Sequence, residues 1–270
     1  MRVRIVSGVV LGVAALGLVI LGGPLYAVGI VALTGLVLSE FYRLLTRLAP
    51  EAPPYSRVGV GVGVVFLALL ALFVEARVDG RVVVVAALLF LLASLAALPL
   101  ASAPENALRW AGTAAGLSYI AGLCAALLLL RHGTSSQGRA WVLFACAITW
   151  GCDTAAYFVG RAIGRRPFFP RISPKKTLEG SIGGVVGGGA IAVIVALLVN
   201  VCQPFIAVVA IALTGAVAAI AGDLVESAFK RQAGVKDSGA LIPGHGGAFD
   251  RVDSLLFVGG VTYCWYLLLS

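Results

Sequence analysis

Phe205-Ile-Ala-Val-Val-Ala-Ile-Ala-Leu-Thr-Gly-Ala-Val-Ala-Ala-Ile-Ala-Gly-Asp223-Leu224 is a run of twenty residues with one charge, near its end. A helix rises about 1.5 Å per residue, so a run of this length matches the roughly 30 Å hydrocarbon core of a bilayer. Working outward, stretches of similar character occupy 5–21, 25–44, 58–74, 82–100, 110–130, 140–160, 181–199 and 254–269, which makes about nine spans in all. The first has no small-residue cleavage site after it and reads as a retained helix, not a removed signal. The whole composition agrees. Of 270 residues 60 % are hydrophobic and 12 % charged, with a mean hydropathy of +1.04. Soluble domains carry about a quarter charged residues, so lipid is the solvent, and a soluble domain, a disordered chain and a disulfide-rich secreted module are excluded. The fold class is an all-α polytopic integral membrane protein.

Charge placement orients the helices, because Lys and Arg are retained on the cytoplasmic side during insertion. With the amino terminus inside and the carboxy terminus on the opposite side, sixteen of the twenty basic residues fall in cytoplasmic segments. Only Arg77, Arg81, Arg131 and Arg139 lie across the membrane. The net charge of +8 is thus topology plus a surface suited to anionic lipid heads or phosphates, and no soluble basic domain exists to carry a nucleic acid. The expected location is the cytoplasmic (inner) membrane, with chemistry at its cytoplasmic face. Cys124, Cys146, Cys152, Cys202 and Cys264 stand singly, without CxxC spacing, and read as packing residues.

The chain is lopsided. Residues 1–139 are Val, Leu, Ala and Gly with short connections, where Glu40 is the one acid placed within the bilayer, and they read as scaffold helices. Residues 140–270 hold the acids and two charged cytoplasmic loops, 161–180 and 225–253, and read as the catalytic region. Asp153, Tyr157 and Arg161 stack at i, i+4, i+8, either as an acid lining a polar cavity or as a helix-pairing group. Ser173, Lys175, Lys176, Thr177 and Glu179 mix hydroxyls, ammonium groups and an acid at a helix start, a pattern suited to a phosphate, whereas Arg165 and Arg166 fit an ordinary positive-inside loop. Asp223, Glu226 and Lys230 share one helical face, and Asp250 and Asp253 open the last helix at i, i+3. Two acidic helix ends joined by a glycine-rich turn can converge on divalent cations; carboxylate oxygens without thiolates favour Mg²⁺, as one ion or two. The bland alternative is a set of caps and ion pairs.

From Ser227 the chain reads Ser-x-hydrophobic-Lys-Arg, four residues, Lys-Asp-x-small, two residues, hydrophobic-Pro-x-His-Gly-Gly, then x-x-Asp-Arg-hydrophobic-Asp. The residues concerned are Ser227, Phe229, Lys230, Arg231, Lys236, Asp237, Gly239, Ile242, Pro243, His245, Gly246, Gly247, Asp250, Arg251, Val252 and Asp253. In this the sequence resembles the phosphatidate cytidylyltransferases, or CDP-diacylglycerol synthases. Ala248 departs from the pattern, standing where a larger side chain is usual. Ser173-Pro-Lys-Lys-Thr-Leu-Glu-Gly180 and Asp153-Thr-Ala-Ala-Tyr157 are similar to the family's upstream elements, so the resemblance in motifs covers roughly the carboxy-terminal 120 residues, while the amino-terminal helices agree only in number and character.

The resemblance implies a nucleotidyltransferase: phosphatidate attacks the α-phosphorus of CTP, giving CDP-diacylglycerol and pyrophosphate for phospholipid synthesis. It implies Asp223, Asp250 and Asp253 as Mg²⁺ ligands, with a monovalent second ion left open. Lys175, Lys176, Lys230 and Arg231 would hold phosphates, with Lys176 and Lys230 counted with the catalytic set. Asp153 and Glu226 would orient these groups, and Ser173, Thr177, Glu179, Ser227, Lys236, Asp237, Gly246, Gly247 and Arg251 would complete the substrate site. His245 either touches a phosphate or holds its loop. A homodimer rests on the resemblance alone. Two alternatives stand beside this reading: a CTP-dependent membrane enzyme acting on another lipid phosphate or a lipid alcohol, and an ion or solute transporter. Against the transporter, the acids gather at one face and no repeat is visible.

Overall fold

The computed structural model describes residues 2–76, 104–132, 137–241 and 246–270, with side chains from Gly8 onward. The described chain is helical. In order, α1 is Arg2–Leu21, α2 Gly23–Leu48, α3 Ser56–Glu75, α4 Glu105–His132, α5 Gly138–Ile163, α6 Leu178–Leu198, α7 Phe205–Gln232 and α8 Phe249–Leu269. The last seven are each long and apolar enough to cross a membrane. The apolar part of α1, Gly8–Leu21, is shorter, and the span expected at 82–100 lies outside the described residues.

Antiparallel and parallel neighbours are fixed by small residues that let backbones approach. Without a hydrophobic drive between helices in lipid, close van der Waals packing has to supply the association. On α2 and α3, Leu38 lies over Gly63 and Tyr42 over Gly59, so the two run antiparallel. Tyr42 also donates to the Thr113 carbonyl of α4 at 2.8 Å. The closest approach joins α5 and α6. A Cβ added to Gly188 would lie 2.5 Å from the Cα and N of Cys152. Here α6 takes a π-helical turn at Gly184–Gly188, and α4 takes another at Leu117–Ala121. Such turns insert a residue into the i to i−4 ladder and rotate the face that follows. Helices α7 and α8 are antiparallel, with Gly222 against Ser254 and Phe257 and with Trp265 donating to Thr214 at 3.0 Å.

This alternation gives the bundle two polar ends. One end holds the Glu75 to His132 pair at 3.1 Å, Arg131 donating to the Val19 carbonyl, and Gln137 bonded to the Asn200 carbonyl and Cys202. The other gathers the finish of α2, α5 and α7 and the start of α6 and α8, and it carries the acids and lysines. All five cysteines are free, and Cys124, Cys146 and Cys152 are buried as packing residues.

Because Gly188 meets backbone atoms that cannot rotate away, Gly188→Ala is expected to push α6 off α5. It should cost about 1–3 kcal/mol, read as a lower thermal midpoint in detergent. Gly17→Ala, with nothing within 4 Å, should leave the midpoint unchanged.

Candidate active site

The site is assembled around Lys230, near the last turn of α7. Its Nζ lies 2.5 Å from Glu226 Oε2, one turn back on the same helix, and 2.6 Å from Asp250 Oδ1 in the first turn of α8. Glu226 is 1 % exposed. A buried charge is tolerated only when paired and hydrogen-bonded, so this ammonium ties the two helix ends together. The second oxygen of Asp250 is also fully engaged: it accepts from Ser238 N at 2.9 Å, Ser238 Oγ at 2.8 Å and Gly247 N at 2.7 Å.

Glu40 completes this arrangement from α2. Its carboxylate is 2 % exposed and accepts from Ala248 N at 3.1 Å, Phe249 N at 2.8 Å and Ser238 Oγ at 3.1 Å. It thereby caps α8 from a distant helix, satisfying amides that lack intrahelical partners and meeting the positive end of the helix dipole. The two glycines of the connecting turn make room for these acids. Gly246 has φ +80°, and a Cβ there would lie 2.5 Å from Asp250 Oδ2; at Gly247 it would collide with the Glu40 carboxylate.

Beside this lies a second group of acids. Asp223, Glu226 and Asp253 each place a carboxylate oxygen within 4.8 Å of the others, and Glu226 Oε1 is buried with no hydrogen-bond partner among the described residues. An orphaned carboxylate oxygen facing two further carboxylates fits a hard cation well. The metal candidates of the structure are therefore Asp223, Glu226 and Asp253. Asp250, expected among the ligands, has both oxygens committed to protein donors.

Asp223 also meets Lys176 in an ion pair and accepts from Ser227 Oγ at 3.2 Å. Lys176 belongs to a cleft of about 400 Å³ between α5, α6 and α7, walled by Asp153, Tyr157, Arg161, Lys175, Lys176 and Asp223. Arg161 donates to the Tyr157 hydroxyl at 3.0 Å, and the i, i+4, i+8 face of α5 lines this cleft.

The loop leading to α6 is held by its own polar groups. Thr177 Oγ1 caps the helix by accepting from Gly180 N at 3.1 Å, and Glu179 accepts from the backbone N–H groups of Arg165 and Arg166 at 3.0 and 3.1 Å. Ser173 closes the turn through backbone bonds to Phe169 and Lys176. Arg231 donates to the carbonyls of Ile172 and Val235, clamping this loop to the end of α7. Lys236, Asp237 and Arg251 are exposed, and His245 lies outside the described residues. The sequence brought Glu40 into view as a lone intramembrane acid, but its partners are some two hundred residues away, and no local spacing points to them.

These features define a polytopic membrane protein with carboxylates and ammonium groups gathered at one end of a helix bundle. The model of the cytidylyltransferase family matches residues 2–269. A phosphatidate cytidylyltransferase of Bacillus subtilis is 33 % identical over 271 residues, covering 99 % of this chain and 97 % of the relative. One from Brucella suis is 35 % identical over 263 residues, covering 97 % and 92 %. One from Staphylococcus epidermidis is 41 % identical over 127 residues, about half of each chain. The chain belongs to the cytidylyltransferase family and is a nucleotidyltransferase.

Glu40→Gln replaces an acceptor for two backbone amides, and for a hydroxyl shared with Asp250, with a group that is half donor. It is expected to cost about 3 kcal/mol of stability, measured by chemical or thermal unfolding in detergent, and to lower activity with it.

Proposed function

We propose that the protein transfers the cytidylyl group of CTP to phosphatidate, producing CDP-diacylglycerol and pyrophosphate. The names of the relatives support the substrates. The observation that carries the chemistry is the convergence of Asp223, Glu226 and Asp253 with Lys176 and Lys230 beside a polar cleft. In the reaction an oxygen of the lipid phosphate bonds to the α-phosphorus of CTP, and the bond from that phosphorus to the departing pyrophosphate breaks. A phosphate monoester is anionic at neutral pH and is itself the nucleophile. The catalytic problem is to bring two polyanions together in line and to neutralise the charge that leaves.

The residues divide that task. Asp223, Glu226 and Asp253 would hold the divalent cation, their oxygens favouring Mg²⁺. When bound, Mg²⁺ offsets charge on the reacting phosphates and on the pyrophosphate that leaves. Lys176, on the cleft wall, exchanges its partner Asp223 for a phosphate oxygen, with Lys175 and Arg161 beside it. Lys230 is 12 % exposed at its side chain and fixes Glu226 and Asp250 instead of reaching substrate. Asp153, across the cleft, orients the lysines.

The lysine and arginine excess supports a position of this end of the bundle at the cytoplasmic face of the cytoplasmic membrane, where CTP would arrive from solution. Tyr157 and Phe158, 58 % and 63 % exposed on α5, mark the side of the cleft that faces outward. Phosphatidate enters there with its head in the cleft and its acyl chains in lipid. Every side chain in this reading comes from one chain.

The test is pyrophosphate release by the purified protein in mixed micelles with CTP, phosphatidate and Mg²⁺. Release should need all three, and Asp253→Asn should lower kcat by about 100-fold or more. Turnover with a different lipid phosphate would keep the site and change the substrate. Absence of CTP turnover with every lipid, from a folded preparation, would overturn the reading.

A further inference from the structure

Tyr119 belongs to the amino-terminal helices, and no part of the proposed mechanism uses it. It sits in the π-helical turn of α4, Leu117–Ala121. Its ring packs edge-on against Phe249 at 6.0 Å and Phe257 at 5.7 Å, and against Phe41 of α2 at 5.5 Å. Phe249 and Phe257 are four residues before and four after Asp253 on α8, so they flank it on one helical face. The Tyr119 ring therefore spans the stretch of α8 that carries Asp253. That hydroxyl is buried and has no hydrogen-bond partner among the described residues.

Two buried polar atoms thus lack a partner among the described residues: Tyr119 Oη, on the ring packed over the stretch of α8 that carries Asp253, and Oε1 of Glu226, a member of the acidic group. Neither has a protein partner among the described residues, although tyrosine hydroxyls buried in apolar surroundings usually find one. One is a donor and the other an acceptor, so a hydrated cation held by the acids would satisfy both, its water accepting from the phenol and donating to the carboxylate. A π-turn is a costly local choice, often kept where it aims a side chain at a functional site.

We infer that Tyr119 is a positioning residue of the cation site, its hydroxyl donating to the hydrated ion or to the carboxylates that hold it. The inference rests on the proposed cation site at Asp223, Glu226 and Asp253. It assigns the amino-terminal helices a direct part in metal affinity. Outer partners of metal ligands fix the orientation of the ligating groups, and their loss typically weakens binding by roughly 10- to 100-fold.

The test uses Mn²⁺ as the probe, with no nucleotide or lipid, titrated into the purified full chain in detergent and read by the paramagnetic signal of the free ion. Tyr119→Phe keeps the ring and its three aromatic contacts while removing only the oxygen. The expected result is Mn²⁺ affinity weakened by roughly tenfold or more, with the melting midpoint of the metal-free protein unchanged or raised, since an unpaired buried hydroxyl is removed. In turnover, the Mg²⁺ concentration giving half-maximal rate should rise by a similar factor, with kcat at saturating Mg²⁺ changed far less. Unaltered Mn²⁺ affinity in Tyr119→Phe, alongside binding by the parent chain that Asp253→Asn abolishes, would overturn the role of Tyr119 and leave the cation site standing. Absence of Mn²⁺ binding by the parent chain itself would overturn both.

Discussion

The structure of the catalytic end depends on one buried ammonium group between two carboxylates. Lys230 holds Glu226 on its own helix and Asp250 on the next, in surroundings where unpaired charge is not tolerated. Attraction between the ions offsets their dehydration only if the remaining lone pairs are also met, and the neighbouring architecture follows from that need. Asp250 therefore draws in Ser238 and the Gly247 amide, Ser238 draws in Glu40, and Glu40 takes the amides that open α8. The glycines at 246 and 247 belong to the same requirement, because any side chain there would occupy the space of a carboxylate. The chain of hydrogen bonds runs from α2 to the acids without a break.

Saturation of one acid leaves its neighbours available. Asp250 has both oxygens bonded to protein donors, while Glu226, grouped with Asp223 and Asp253, keeps one oxygen without a partner among the described residues. Two carboxylates three residues apart on one helix, Asp250 and Asp253, thus fall into different environments: the first is bonded to Lys230 and the connecting turn, the second is grouped with Asp223 and Glu226. The same division separates the lysines, with Lys230 enclosed between helices and Lys176 on the wall of an open cleft. A fixed cation that shapes the site and a second one free to change partners is what a reaction between two anionic substrates requires.

The helical membrane fold was legible in the sequence because lipid imposes it residue by residue: each run of apolar side chains long enough to cross must be a helix. The i, i+3, i+7 face of Asp223, Glu226 and Lys230 was legible for the same local reason, and so was the polar face of Asp153, Tyr157 and Arg161. What the spacing could not supply were partners that lie far along the chain. Glu40 is separated from Phe249 by 209 positions, and Thr177 and Glu179 have the composition of phosphate contacts but are used by the backbone around them. Side-chain chemistry is visible in a sequence, whereas the choice between a ligand and a backbone amide is made by tertiary distance.

That distinction changes how the two regions of the chain are understood. Residues 1–139 look like scaffold because their composition is monotonous, and monotony is what close helix packing in lipid asks for. Yet the positions that break it are aimed at the acids. Glu40 caps α8, Phe41 meets Phe249 and Phe229 edge-on, and Tyr119 packs on Phe249 and Phe257 to either side of Asp253. Moving α2 or α4 relative to α8 would disturb the carboxylates as surely as a substitution among them. The apolar amino-terminal helices therefore set the geometry of a polar site to which they contribute almost no charge.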